Sequence, residues 1–186
     1  VVLVDPAYKM DTAFKFPSNK RLLIHNHELT YDLANKYKNS VDLIVSHQVL
    51  EHVVDLRAIF EMFDIMLKPG GAMFHKVDLS DHLYHGTSSI LKKFGFSDSS
   101  QVSMYLRYSN SVFKHLNSKK CYMNRKLLPF YIALIENHYW HYTLEDLQYF
   151  EGQIHNDVLS EIVEPDPSFV KTISFGVFIR KENKYS

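Results

Sequence analysis

Residues 41–71 read VDLIVSHQVLEHVVDLRAIFEMFDIMLKPGG, and this stretch decides the fold. Its first six residues, VDLIVS, are mostly β-branched and apolar, which predicts a buried strand. Residues 54–67 then carry Leu56, Ile59, Phe60, Phe63 and Leu67 at helical spacing, which predicts an amphipathic helix with one apolar face. Lys68-Pro69-Gly70-Gly71 is expected to end that helix, with Lys in the last turn, Pro as the stop and Gly for the backbone reversal. AMFHKV, residues 72–77, follows as another strand.

The same alternation extends upstream. VVLV at residues 1–4 and RLLIH at 21–25 read as short strands, and residues 29–37 as one or two helical turns. Residues 11–20 contain Pro17, Ser18 and Asn19 and read as a loop. Strands alternating with helices predict a parallel sheet with helices on its faces. Downstream, residues 78–124 are polar and aromatic, with helical character at 88–94 and 101–116. A helix is expected over 125–136, a strand within 138–142, and a last strand at TISFGVFIR, 172–180.

Composition narrows the function classes. The 186 residues suffice for one domain with a buried core. With 12 Tyr and 13 Phe the chain has the aromatics that a disordered chain lacks. Lys plus Arg equals Asp plus Glu at 21 each, so neither nucleic acid nor an anionic membrane is an expected partner. Lys119-Lys120 and Arg125-Lys126 read as a solvated face. Cys121 is the single cysteine, which excludes an internal disulfide and fits a reducing, cytoplasmic setting. No apolar run approaches the ~20 residues that span a bilayer.

The run from residue 41 to 71 resembles class I S-adenosylmethionine (SAM)-dependent methyltransferases, in which an Asp-x-Ile-x-Ser strand, Val-Leu-Glu-His-Val, a helix and Leu-Lys-Pro-Gly-Gly follow in this order. HKVDLSDHLYH (75–85), YLRYSNSVFKHL (105–116) and MNRKLLPFYIALIENHY (123–139) resemble a bacterial subgroup often associated with cell-surface polysaccharide genes. The resemblance implies a three-layer, Rossmann-like α/β fold, with a mostly parallel sheet and an antiparallel last strand. Such enzymes hold SAM on a glycine-rich loop after their first strand. The present chain has 6 Gly and no Gly-x-Gly, so it is expected to lack that strand and loop. It is read as one partial domain over 1–186, a fragment of a longer enzyme, with 79–123 a helical insertion or lid. The alternative is a non-catalytic binding or scaffold module.

The resemblance also implies a site. Asp5, ending the first strand, stands where the family's acid accepts from the SAM ribose, and Glu28 stands where an acid meets adenine; turn and helix-end roles compete at both. Ser46, His47 and Gln48 follow the third strand and are expected to line the cofactor cleft. His47 is a candidate base for a substrate hydroxyl. Glu51-His52 is expected to hold the loop to the helix. Asp78, Asp81, His82 and His85 form a cluster after the next strand, with Asp81 and His82 as candidate bases and Asp78 and His85 as substrate contacts. Metal binding and loop hydrogen bonding compete there, but the spacing matches no zinc or calcium motif, so no metal is expected. Asn124 and Arg125 are candidate contacts to a polar or anionic acceptor, against an N-cap and a solvent-facing Arg; Arg107 has the same ambiguity. The run Tyr139-Trp140-His141-Tyr142 is expected in the core rather than against a sugar. The expected reaction is methyl transfer from SAM to a hydroxyl of a glycan or small metabolite.

Overall fold

The polypeptide is described here by a computed structural model over residues 2–4, 23–25, 28–80, 122–149 and 167–182. The chain begins with β1 (Val2–Val4) and β2 (Leu23–His25), paired in parallel as a two-stranded sheet. Helix α1 (Tyr31–Lys36) follows, with the Thr30 hydroxyl accepting from the Leu33 amide at 3.3 Å as its N-cap. Strand β3 (Val41–His47) leads through a 3-10 turn at Leu50–His52 into α2 (Leu56–Met66). Asp55 caps α2 by accepting from the Ala58 amide at 3.1 Å. This cap explains why the helix starts inside the expected 54–67.

Strand β4 (Leu67–Asp78) starts directly at the end of α2. The expected turn at 68–71 is instead an irregularity within that strand. Val41 pairs with Leu67, but Leu43 pairs with Ala72, so the register shifts across Lys68-Pro69-Gly70-Gly71. Gly70 takes φ +76 there, a conformation that favours glycine.

After residue 121 the chain re-enters with α3 (Leu128–Asn137), later than the expected 125. Arg125 has φ +55, which is not helical, and Pro129 sits in the first turn, where its missing amide costs nothing. Strand β5 (His141–Tyr149), helix α4 (Pro167–Lys171) and strand β6 (Thr172–Arg180) complete the described chain. β6 has the bounds expected of it. β5 runs well past the expected 138–142, and α4 was not expected. The insertion expected over 79–123 lies, from 81 to 121, outside the described residues; its flanks Leu79 and Met123 are buried.

The larger sheet has the order β3-β4-β6-β5. β3 and β4 are parallel, while β6 runs antiparallel to both β4 and β5. The mixed sheet with an antiparallel last strand is therefore as expected. One face of this sheet carries Met73, Val77, Phe175, Val177 and Ile179 into a core completed by Phe60 and Phe63 of α2 and by Tyr131, Leu134 and Ile135 of α3. Ala34 of α1 packs with Met62 and Met66 on the same side. Trp140 is buried against Phe60, whereas Tyr139 is 84% exposed, so only part of that aromatic run joins the core.

Candidate active site

Parallel strands β3 and β4 end side by side, with Ser46 opposite His75 and His47 opposite Lys76. In open α/β sheets the crevice outside such carboxyl ends is where ligands bind. Ser46 is half-buried and its hydroxyl lies 2.7 Å from His75 Nδ1. His75 is fully buried, stacked on Phe63 at 5.4 Å and beside Phe60. Burial lowers its pKa to about 4, so the ring is neutral at neutral pH. Its Nε2 is buried without a hydrogen-bond partner. The Ser46 hydroxyl complements either neutral tautomer, because it both donates and accepts.

His47 is exposed at the strand end. The next residue, Gln48, takes φ +53, uncommon for a residue with a side chain and frequent at ligand sites. Its amide donates to the Lys76 carbonyl at 2.8 Å, which extends the pairing with β4 by one residue beyond β3. Its side-chain Nε2 donates to Asp78 Oδ2 across 3.4 Å. The other oxygen of Asp78 accepts from the Ser80 amide at 2.8 Å.

Glu51, in the 3-10 turn, is only 1% exposed. Its Oε1 accepts from the Asp78 amide at 3.4 Å, and its Oε2 is buried without a partner. Burial raises its pKa, outweighing the amides and His52 that favour the charged form. The main chain around it is clasped by Asn124, whose amide donates to the Glu51 carbonyl at 2.9 Å. Asn124 Nδ2 donates to the carbonyls of Leu50 and Val53 at 2.8 and 3.1 Å. His52 Nδ1 donates to the Tyr122 carbonyl at 2.6 Å.

The structure thus brings Ser46, His47, Gln48 and Asp78 together at the carboxyl ends of β3 and β4. Asn124 is brought close too, but its amide nitrogen and Oδ1 are engaged by protein groups, with Oδ1 accepting from the Lys126 amide at 3.0 Å. Arg125 is half-buried beside it. Glu28 is exposed, just beyond β2 and before the Thr30 cap. Asp5, Asp81, His82, His85 and Arg107 lie outside the described residues. No group of three metal-binding side chains occurs among the described residues. His75 was not singled out from the sequence. Its signal is a histidine at the inward positions of a strand otherwise holding Met73 and Val77 there. Among the described residues no helix is long and apolar enough to cross a membrane.

A family model described as "Methyltransferase domain" matches residues 1–150. A SAM-dependent methyltransferase structure from Methanosarcina mazei superposes with a TM-score of 0.54 at 13% identity, covering 98% of this chain and 82% of that one. A candidate SAM-dependent methyltransferase from Listeria monocytogenes gives 0.50 at 11% identity, covering 97% and 79%. At these identities the two structures speak to the fold. No curated protein matches the chain.

Proposed function

This chain belongs to the methyltransferase domain family, and from that premise we propose that it serves methyl transfer to a hydroxyl of a glycan or small metabolite in the cytoplasm. The cofactor of the family is SAM, which when bound supplies an electrophilic methyl group on a sulfonium. The observation that carries the reading is the convergence of Ser46, His47, Gln48 and Asp78 at the carboxyl ends of two parallel strands. The donor set fits the cofactor's polar groups. Ser46 and Gln48 offer a hydroxyl and an amide, and Glu28 offers a carboxylate to hydroxyl or amine donors. Asp5 is assigned to the ribose on its position in the sequence. The chain holds no Gly-x-Gly, so close backbone approach to the ligand does not come from a glycine pair within these residues.

A hydroxyl must lose its proton as its oxygen gains the methyl carbon. His47 is exposed at the strand end and takes that proton in this reading, with Asp81 and His82 as the other candidates. Asp78, His85 and Arg125 are assigned to the acceptor on their positions in the sequence. Holding acceptor oxygen and methyl carbon in line supplies much of the rate.

Calorimetric titration of the chain with S-adenosylhomocysteine tests the proposal. Micromolar binding is expected, weakened roughly tenfold, about 1.4 kcal/mol, by Ser46→Ala. Absence of binding, or binding that ignores Ser46, rejects the assignment of this edge as the cofactor cleft.

A further inference from the structure

Three side-chain polar atoms are buried without a partner among the described residues: Glu51 Oε2, His75 Nε2 and Ser174 Oγ. Glu51 is the costliest, since a carboxyl withdrawn from water loses hydration that a single 3.4 Å contact to the Asp78 amide does not replace. An apolar side chain of similar size would fill this place at lower cost.

We infer that Glu51 is a positioning residue, which sets the end of β4 at Asp78 and through Asp78 the direction of the Gln48 side chain. The inference rests on the reading that Gln48 and Asp78 line the cofactor and acceptor cleft.

The linkage runs through named atoms. Segment 122–124 clamps the turn from outside by four hydrogen bonds, the Asn124 amide to Glu51, Asn124 Nδ2 to Leu50 and Val53, and His52 Nδ1 to Tyr122. The turn cannot shift along β3 without breaking them. Inside that clamp the Glu51 side chain reaches across to β4 and accepts from the Asp78 amide. The Asp78 carboxylate, so placed, divides its oxygens between the Ser80 amide and Gln48 Nε2. Gln48, in its left-handed conformation, is thereby held from both ends, by its amide on Lys76 and by its side chain on Asp78. The charged or titratable groups facing Glu51 are His52 on its own turn and Asp78 on β4. Burial and the Asp78 carboxylate push the Glu51 pKa up, against His52 and the backbone amides, which favour the charged form. Gln keeps the chain length and one oxygen able to accept from the Asp78 amide, so it preserves this contact without a charge.

Three variants separate this role from plain structural support. Glu51→Leu removes the buried polar group, so its Tm is expected to hold or rise, while S-adenosylhomocysteine affinity falls roughly tenfold, equivalent to about 1.4 kcal/mol. Glu51→Gln is expected to restore affinity to within about threefold of the parent chain, under 1 kcal/mol. Glu51→Asp, one methylene short, is expected to lose affinity as Leu does. A lowered Tm with unchanged affinity in the Leu variant overturns the inference. Amide hydrogen exchange of the unliganded chain reads the same linkage without any cofactor. Exchange at Asp78 is expected to quicken in the Leu variant and return in the Gln variant. Unchanged exchange at Asp78 overturns the inference whatever the titration gives. Failure of the parent chain to bind S-adenosylhomocysteine, with Asp78 exchange responding as expected, rejects the cleft reading and leaves the linkage standing.

Discussion

His75 shows how one buried residue ties the cleft to solution conditions. Its ring is enclosed by Phe60 and Phe63, and only Nδ1 meets a polar group, the Ser46 hydroxyl at 2.7 Å. Burial moves its pKa from 6.5 down to about 4 in the folded chain. The unfolded chain therefore takes up a proton at higher pH than the folded chain. Stability from this residue is complete above pH 6.5 and is lost as pH falls toward 4, to a total of about 3 kcal/mol. Glu51 has the opposite sense. Its raised pKa favours the folded chain at low pH, and that advantage fades as pH rises above its ordinary value of 4.5. His75→Asn keeps a polar atom near the Nδ1 position and cannot take up a proton. Urea unfolding at pH 7 and pH 4.5 is expected to show a smaller loss in this variant than in the parent chain. Equal losses would mean that His75 does not carry this pH dependence. Neither residue's role was visible from neighbouring sequence. Glu51 meets Asp78 across 27 positions and Asn124 meets Leu50 across 74, and hydrogen bonds of that separation leave no periodic trace.

At the level of elements, local physics decides what could be read. α2 was legible because Leu56, Phe60 and Phe63 recur on one face, while its start was not, because the Asp55 cap sets it at Leu56. β3 and β6 were legible as β-branched, apolar runs. β5 was largely hidden, because HYTLEDLQY is an edge strand with most side chains exposed, and its register shifts after Glu145. Polar edge strands protect a sheet from unwanted pairing and thereby lose the strand signal. The segment 68–71 was read as a turn and behaves as an interruption within a strand. Here Gly71 matters for space rather than for φ. A Cβ at this position would lie 2.9 Å from the Lys68 carbonyl oxygen and 3.3 Å from that of Asp42. Gly71→Ala is expected to lose about 1–3 kcal/mol, as overpacking against backbone does. Gly70 has open space around it but φ +76, so Gly70→Ala is expected to lose about 1 kcal/mol through backbone strain. Denaturant midpoints of both variants check this. A Gly71→Ala chain as stable as the parent would show that the strand yields at this point.

Across the whole molecule, the described helices do not cover the larger sheet evenly. α2 and α3 pack on the face of Met73, Val77 and Val177, and α1 reaches the same side through Met62 and Met66. On the opposite face the register sets Val45 beside Phe74 and Phe74 beside Phe178, a row of apolar side chains across three strands. Leu43 is 54% exposed, Val45 62% and Phe178 38%. β3 also hydrogen-bonds to a neighbouring strand on one side only in the described sheet. An apolar face beside a strand edge with no partner among the described residues favours association with another surface. The charge balance of 21 against 21 adds no net repulsion to oppose it. The chain is therefore expected to self-associate reversibly as concentration rises, and Leu43→Lys with Val45→Lys is expected to suppress this. Because both positions are exposed, the double variant is expected to keep its stability within about 0.5 kcal/mol per site. Sedimentation velocity over a concentration series reads the association, and thermal unfolding reads the stability. A parent chain that stays monomeric throughout would mean that exposure of this face does not drive association. A double variant that unfolds early would mean instead that Leu43 and Val45 support the fold from that side.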